Sequence, residues 1–340
     1  MRIALDAMGG DHAPGPIVDG AVAAVAESAD LVAVMVGDRA RVEAELARWP
    51  DAPRDRLPIV HAAEAVGMDE KPMEALRKKR DNSISKSWGL LGAGDVQAVV
   101  SAGNTGAMVA AALFNAKMFL PGVRRPGIAA IFPSHQGPVV ILDVGANMNP
   151  KPEDLYQYGV MGAVYAEQIL GVPAPKIGLM NVGSEEEKGT DLIKATRDLF
   201  RSGPMAAQFV GNVEGRHIYD GHARVVVCEG FVGNIVLKAG EGAVEFLYSE
   251  LKAELARLLP GLPPEAGRAI VGGMMDLKTR YEYHEYGGAP LLGIRGACII
   301  CHGSSDARAI KNALRVAATM AGDRVNHLIV ERLAAAPAPA

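Results

Sequence analysis

The 340-residue sequence holds only three cysteines, too few for a disulfide framework. Two of them, Cys298 and Cys301, share a C-x-x-C spacing inside an apolar run. Read as a strand, that run points the two thiols to opposite faces, which makes them core residues rather than a redox pair. A zinc site would need a second ligand pair. Aromatic residues are also scarce, at 5%. The core must therefore be filled by Ala, Val, Ile, Leu and Met, as where helices pack on a parallel sheet. An excess of basic charge is missing as well. The formal net charge of −4 gives no general reason to expect nucleic acid as a partner. No apolar run reaches membrane-spanning length, and residues 1–6 lack the apolar stretch of a signal peptide. The expectation is a cytoplasmic protein, attached at most to a membrane surface.

The familiar nucleotide signatures are absent too. No Gly-x-Gly-x-x-Gly follows the first apolar run, which continues into Asp6-Ala7-Met8-Gly9-Gly10-Asp11-His12. No Gly-Lys-Ser/Thr loop occurs, because the stretch Gly183-Ser184-Glu185-Glu186-Glu187-Lys188-Gly189-Thr190 has lysine and glycine in the other order. Asp6, Asp11, His12 and Asp143 lack a recognised metal-ligand spacing and read as turn residues, so neither metal nor organic cofactor is expected. A nucleophile–base motif and an internal repeat are likewise missing.

What the sequence does contain is alternation. Short β-branched runs at 3–6, 31–36, 59–61, 98–101, 128–132, 139–143, 176–181, 208–211, 225–228 and 298–301 are separated by helical stretches, including 16–28, 39–48, 105–119, 152–170 and 306–321. This pattern specifies an α/β fold: a doubly wound, mainly parallel sheet with helices on both faces. Residues 1–333 read as one domain and the Ala/Pro tail 334–340 as disordered. The segment 242–288 breaks the pattern. Val244, Leu247, Tyr248, Leu251, Leu255 and Leu258 recur at helical spacing, followed by Ile270, Val271, Met274 and Met275. Between the two sets lies an apolar turn that includes Leu258, Leu259 and Leu262. The segment reads as a protruding helical hairpin that packs subunits of a homodimer, or that also touches a membrane with its tip.

The strongest functional signal is a recurrence of glycine and small polar residues after the strands. It occurs at Ser101-Ala102-Gly103-Asn104-Thr105-Gly106, Asp143-Val144-Gly145-Ala146-Asn147, Asn181-Val182-Gly183-Ser184-Glu185, Gly211-Asn212-Val213-Glu214-Gly215, Glu229-Gly230-Phe231-Val232-Gly233-Asn234 and His302-Gly303-Ser304-Ser305-Asp306. In doubly wound sheets ligands bind beyond the carboxyl ends of strands, where the next helix offers free N–H groups and the positive end of its dipole. Any single turn of this kind is explained by helix capping. Six of them suit an anionic ligand with several parts. Asn104 and Asn234 are either N-caps or donors to phosphate or an oxyanion. Lys188 falls in or just before the first turn of a helix, where a bound anion or the neighbouring Glu185, Glu186 and Glu187 would offset its charge. The basic run Arg77, Lys78, Lys79 and Arg80, with Lys86, Arg124 and Arg125, is either a solvated face or the docking point of an acidic protein.

Together with Gly287-Gly288-Ala289-Pro290-Leu291-Leu292-Gly293 and Ile299-Ile300-Cys301-His302-Gly303-Ser304-Ser305, these motifs resemble the phosphate acyltransferases of bacterial phospholipid synthesis, the PlsX family. The likeness runs through the chain up to the tail. It departs at Glu229 and Val232, where the family commonly has Asp and Thr, and at Thr190-Asp191 and Asn82. The resemblance implies a homodimer with a fold related to isopropylmalate dehydrogenase and the phosphate acetyltransferases. It also implies transfer of a long-chain acyl group from acyl carrier protein to inorganic phosphate, with the acyl phosphate passing to a membrane-bound glycerol-phosphate acyltransferase. Mapped onto this chain, Lys188, Asn104 and Asn234 become the expected catalytic residues. Gly103, Thr105, Asn147, Gly233, His302, Gly303, Ser304 and Ser305 become the expected phosphate and substrate contacts. A nicotinamide-linked dehydrogenase and a non-catalytic membrane scaffold are the rival readings.

Overall fold

The computed structural model describes residues 1–114, 116–281, 287–322 and 324–335. Its strands are β1 (Arg2–Asp6), β2 (Val32–Gly37), β3 (Ile59–His61), β4 (Ala98–Ser101), β5 (Gly127–Phe132), β6 (Val139–Leu142), β7 (Ile177–Met180), β8 (Phe209–Val213), β9 (Val225–Val227), β10 (Ala289–Leu292) and β11 (Ala297–Ile300). The helices are α1 (Gly15–Glu27), α2 (Arg39–Leu46), α3 (Pro72–Lys78), α4 (Ser83–Ala93), α5 (Thr105–Leu113), α6 (Pro152–Gln168), α7 (Asp191–Ser202), α8 (Gly230–Leu258), α9 (Pro264–Tyr281), α10 (Ala307–Gly322) and α11 (Val325–Ala334).

All the strands join one sheet in the order β3-β2-β1-β4-β11-β10-β5-β6-β9-β7-β8. Strand residues alternate between two cores because successive side chains leave opposite faces. Ile3, Leu5, Ala98, Val100, Val225 and Val227 pack on one side with α1, α6, α10 and α11. Ala4, Val99 and Val226 pack on the other with α4 and α5. The cysteines obey the same rule: Cys298 belongs to the second core and Cys301 to the first. Burial pushes all three thiols up, Cys301 to about 12, so none is a thiolate near neutral pH.

The sheet is not parallel throughout. Strand β10 runs antiparallel to both β11 and β5, and β6 runs antiparallel to β5. Two parallel blocks result, β3-β2-β1-β4-β11 and β6-β9-β7-β8, which run in opposite directions. The strand that begins this reversal, β10, is hidden in the sequence by Pro290, which argues against an interior strand. Here Pro290 is tolerated because its ladder partner lies on the β11 side, while Leu291 and Leu292 pair with β5. The helix expected over 105–119 ends at Leu113. The chain then turns so that Leu120 N–H reaches the Gly293 carbonyl (3.0 Å) and Arg295 N–H reaches that of Met118 (2.7 Å), long-range pairing that overrides local propensity.

The hairpin begins earlier than expected. Helix α8 leaves the end of β9 and runs 29 residues without a break to the tip. In the single chain Val244, Phe246, Leu247, Leu251, Ile270, Val271 and Met275 are exposed, an apolar surface large enough to call for a partner. At the tip Leu258 and Leu262 are exposed, whereas Leu259 folds back toward Gly267. Residues 282–286 of the hairpin and 336–340 of the expected tail lie outside the described residues, and Ala334 closes α11. No described helix is long and apolar enough to cross a membrane.

Helix α6 approaches α7 closely because Gly159 faces the Phe200 ring, where a Cβ would overlap it. Gly159→Ala is expected to cost roughly 1–3 kcal/mol of stability, measured as a lowered urea midpoint with an unchanged m-value.

Candidate active site

At the first block's carboxyl edge, β1 and β4 send their chains to helices on opposite sheet faces, α1 and α5, and β11 returns to the α1 side through α10. Such a switch point opens a crevice. Its wall is held by Asp6, buried at the end of β1. The Asp6 carboxylate accepts from Ser101 Oγ (2.7 Å) and Met8 N–H (3.1 Å). Burial raises its pKa, against the hydroxyls of Ser83 and Ser101 that pull it down. Gly9 lies so close to the Gly103 backbone that a Cβ would clash with it, and Gly10 at φ +112° rests against the Gly303 carbonyl. Asp11 N–H donates to that same carbonyl at 2.8 Å.

Asn104 caps α5 but is fully committed. Its Oδ1 accepts from Ala107 N–H (3.0 Å), while Nδ2 is shared among the carbonyls of Gly67 (3.2 Å), Met68 (3.0 Å) and Glu70 (3.0 Å). The side chain clamps the loop ahead of α3, and no acceptor among the described residues takes the first-turn N–H groups of Thr105 and Gly106. Across from them His302 Nδ1 lies 2.8 Å from Ser304 Oγ, Ser305 is buried, and Asp306 caps α10 by accepting from Ala309 N–H (2.8 Å).

The second block repeats the design. Strands β6 and β7 feed α6 and α7 on one face, while β9 feeds α8 on the other. Here the organising carboxylate is Asp143, fully buried. Its Oδ1 accepts from the N–H groups of Ile128 (2.9 Å), Gly145 (3.2 Å) and Ala146 (3.0 Å), and its Oδ2 accepts from Asn147 N–H (2.6 Å). Burial raises its pKa and these donors oppose the rise. The first turn of α8 presses on this loop: Gly230 N–H donates to the Asn147 carbonyl (2.8 Å), and a Cβ on Gly233 would overlap the Asp143 carbonyl oxygen. Asn147 is structural, its Nδ2 donating to Pro126 O and Tyr158 Oη at 2.7 Å each.

Asn234 and Lys188 differ from these. Asn234 is exposed at the fifth residue of α8, opposite Gly145, and its amide has no hydrogen-bond partner among the described residues. Lys188 precedes α7, which begins at Asp191 with Thr190 as its cap. The loop is held by Asn181, whose Nδ2 donates to the Lys188 carbonyl (3.1 Å). Glu186 pairs with Arg201 rather than Lys188, and no carboxylate among the described residues lies within ion-pair distance of the ammonium. Beside Asn147, to which Arg125 bonds (3.4 Å), a cavity of about 510 Å³ is lined by Leu113, Phe119, Arg124, Arg125, Asn149, Lys151 and Asp154.

Of the expected contacts, Gly103, Asn104, Thr105, His302, Gly303, Ser304 and Ser305 gather at the first crevice. Asn147, Lys188, Gly233 and Asn234 gather at the second. No hydrogen bond among the described residues joins the two groups. The six glycine-rich turns therefore do not share one edge of the ladder, because the three antiparallel pairings β11-β10, β10-β5 and β5-β6 leave the two blocks opposed. Asp6 and Asp143, which organise the two crevices, fall in different blocks and do not share a metal site. Among the described residues no group of His, Cys, Asp or Glu is arranged to hold a metal ion.

A family profile described as fatty acid synthesis protein matches residues 1–328. A phosphate acyltransferase from Heliobacterium modesticaldum is 48% identical over 318 residues, covering 93% of each chain. The chain belongs to this family of phosphate acyltransferases. It is an enzyme of the acyltransferase class. Two solved structures share its fold at low identity. A phosphotransacetylase from Streptococcus pyogenes has TM-score 0.63 and 17% identity, covering 94% of each chain. A 4-hydroxythreonine-4-phosphate dehydrogenase from Klebsiella pneumoniae has TM-score 0.52 and 12% identity, covering 94% of this chain and 99% of its own.

Two substitutions separate holding a crevice from acting in it. Asp143→Asn places an amide among backbone donors, and about 2–4 kcal/mol of stability should be lost in chemical denaturation. Asn104→Ala should cost about 1 kcal/mol as a lost cap, and hydrogen exchange should rise in residues 67–70.

Proposed function

We propose that this acyltransferase moves a long-chain acyl group from acyl carrier protein to inorganic phosphate, without a covalent enzyme intermediate. The observation that carries the reading is the pair of uncommitted groups at the second block's carboxyl edge, the Lys188 ammonium and the Asn234 amide, each without a hydrogen-bond or ion-pair partner among the described residues. A substantial share of inorganic phosphate is dianionic near neutral pH and already nucleophilic. The thioester's thiol, with a pKa of about 8.5, leaves readily as thiolate. The protein must supply alignment and oxyanion stabilisation rather than a base.

Lys188 neutralises the incoming phosphate, and the Asn234 amide donates to the oxyanion that forms on the carbonyl. The N–H groups of Asn104, Thr105 and Gly303 receive the other end of the reacting pair, those of Gly103, Ser304 and Ser305 being held by Ser101 and His302. Four strand steps separate β4 from β6, and at roughly 20–25° per step the sheet turns through about 90° between them. Two carboxyl edges set at that angle suit a two-part ligand, with phosphate on one side and a carrier-borne thioester on the other. Asn104, Asn147 and Gly233 serve as positioning residues.

The basic run divides by its bonds. Lys79 is tied to Glu70 (2.6 Å) and Lys78 to Glu74 (3.7 Å), which leaves Arg77 and Arg80 to meet the acidic carrier. The exposed stripe of α8 and α9 packs a homodimer, and Leu258 and Leu262 touch the membrane surface where a glycerol-phosphate acyltransferase consumes the product.

Palmitoyl-acyl carrier protein incubated with and without phosphate should release free carrier thiol and hydroxylamine-trappable acyl phosphate only when phosphate is present. Lys188→Ala and Asn234→Ala should each lower kcat by about 10²–10³ while leaving the unfolding midpoint in place. Thiol release independent of phosphate from folded protein would sink the reading, and wild-type turnover in both variants would sink the assignment.

A further inference from the structure

Strand β8 carries an irregularity that aims one side chain at the Lys188 loop. Phe209 pairs with Ile177, but Gly211 rather than Val210 pairs with Gly178, so Val210 is an extra residue in the ladder. Gly211 follows it at φ +92°, and a Cβ there would meet no atom within 4 Å. Backbone conformation, not crowding, therefore calls for glycine at this position. A one-residue slip moves every later side chain to the other face of the sheet. Asn212 is thereby matched with Leu179, which belongs to the core on the α6 and α7 side, and Val213 with Met180 in the opposite core. In a regular strand Asn212 would lie on the other face.

On the face it does occupy, Asn212 Nδ2 donates to the Glu185 carbonyl at 2.9 Å. The amide's orientation is fixed, because a carbonyl can only accept. The same carbonyl accepts from Lys188 N–H (3.3 Å), which closes the turn that presents the ammonium. At the far end of that turn Asn181 Nδ2 donates to the Lys188 carbonyl (3.1 Å), while Asn181 Oδ1 accepts from Val182 N–H (2.9 Å). Gly189, at φ +97°, lies where a Cβ would overlap Asn181 Oδ1. Residues 184–188 are all exposed, so polar anchors hold this turn rather than burial, with Arg197 and Arg201 on Glu186 as the remaining ones. Asn212 Oδ1 is itself buried and has no donor among the described residues. An unpaired buried acceptor opposes folding, so stability alone does not account for asparagine here.

We propose that Asn212, aimed by the bulge before Gly211, is a positioning residue for Lys188, with Asn181 as the second anchor. The two bonds tie both carbonyls of the turn to the ends of adjacent strands, β7 and β8. The lysine backbone is then ordered before an anion arrives, and that ordering is not subtracted from binding or from the transition state. This role rests on the acyl-transfer reading of Lys188, and the experiment below separates the two.

At saturating palmitoyl-acyl carrier protein, Asn212→Ala should lower kcat/KM for inorganic phosphate about tenfold, and hydrogen exchange should quicken at residues 185–189. In a Lys188→Ala background the same substitution should cause no further loss, because the group it positions is gone. Asn181→Ala should behave alike, and it carries the test if Asn212→Ala does not fold. Unchanged exchange at 185–189, wild-type kcat/KM in the folded variants, or an undiminished loss in the Lys188→Ala background would each overturn the assignment and leave acyl transfer standing. If the unsubstituted protein shows no phosphate-dependent transfer, the acyl-transfer reading falls, and equilibrium dialysis with radiolabelled phosphate decides the positioning role. Phosphate binding weakened by Asn212→Ala only while Lys188 is present supports that role, and equal binding with and without Asn212 removes it.

Discussion

A carboxylate taken out of water must be surrounded by donors, and in this protein that requirement shapes both candidate crevices. Asp143 gathers four backbone N–H groups from Ile128, Gly145, Ala146 and Asn147, which draws the loop after β6 into a tight cup. Asp6 does the same for the first block with Ser101 and Met8. Charge-assisted bonds of this kind are stronger than neutral ones, and leaving any donor unpaired in the interior carries the full desolvation penalty. The loops are thereby held rigidly enough for helix termini to be aimed at a ligand.

Around those carboxylates, glycine governs how closely the elements approach. Gly233 lets the first turn of α8 rest on the Asp143 carbonyl, and Gly9 lets the β1 loop reach the backbone of Gly103. Lys188 and Asn234 stand out because they are the expected catalytic groups without an internal partner among the described residues. The unbroken course of α8 also places Asn234 on the same rigid rod as the exposed arm, so whatever covers the arm bears on a helix that begins at the candidate site.

Much of the architecture was legible beforehand. Alternating runs of Val, Ile, Leu and Ala required burial on both faces and so announced helices on both sides of a sheet. The opposite facing of Cys298 and Cys301 followed from the two-residue period alone. The hairpin was visible as a helical stripe in a segment without strands. What escaped was β10, because Pro290 disguises it, and the early end of α5, because pairing of Leu120 with Gly293 depends on residues far along the chain.

The candidate site divides along the same line. Local sequence determined where glycine, amide and cation would sit relative to strand ends, because strand and helix periods are local properties. Tertiary structure alone decided which of those groups are free. Asn104 and Asn147 look as available as Asn234 in the sequence, yet their amides are consumed by the Gly67, Met68 and Glu70 carbonyls and by Pro126 and Tyr158. For Lys188 the sequence leaves a bound anion and the neighbouring glutamates as equal explanations, and in the fold Glu186 turns to Arg201. The separation into two crevices likewise arises from the three successive antiparallel pairings between β11 and β6. A side chain's commitments and a strand's direction are both set by partners distant in sequence, and those partners are chosen only when the sheet closes.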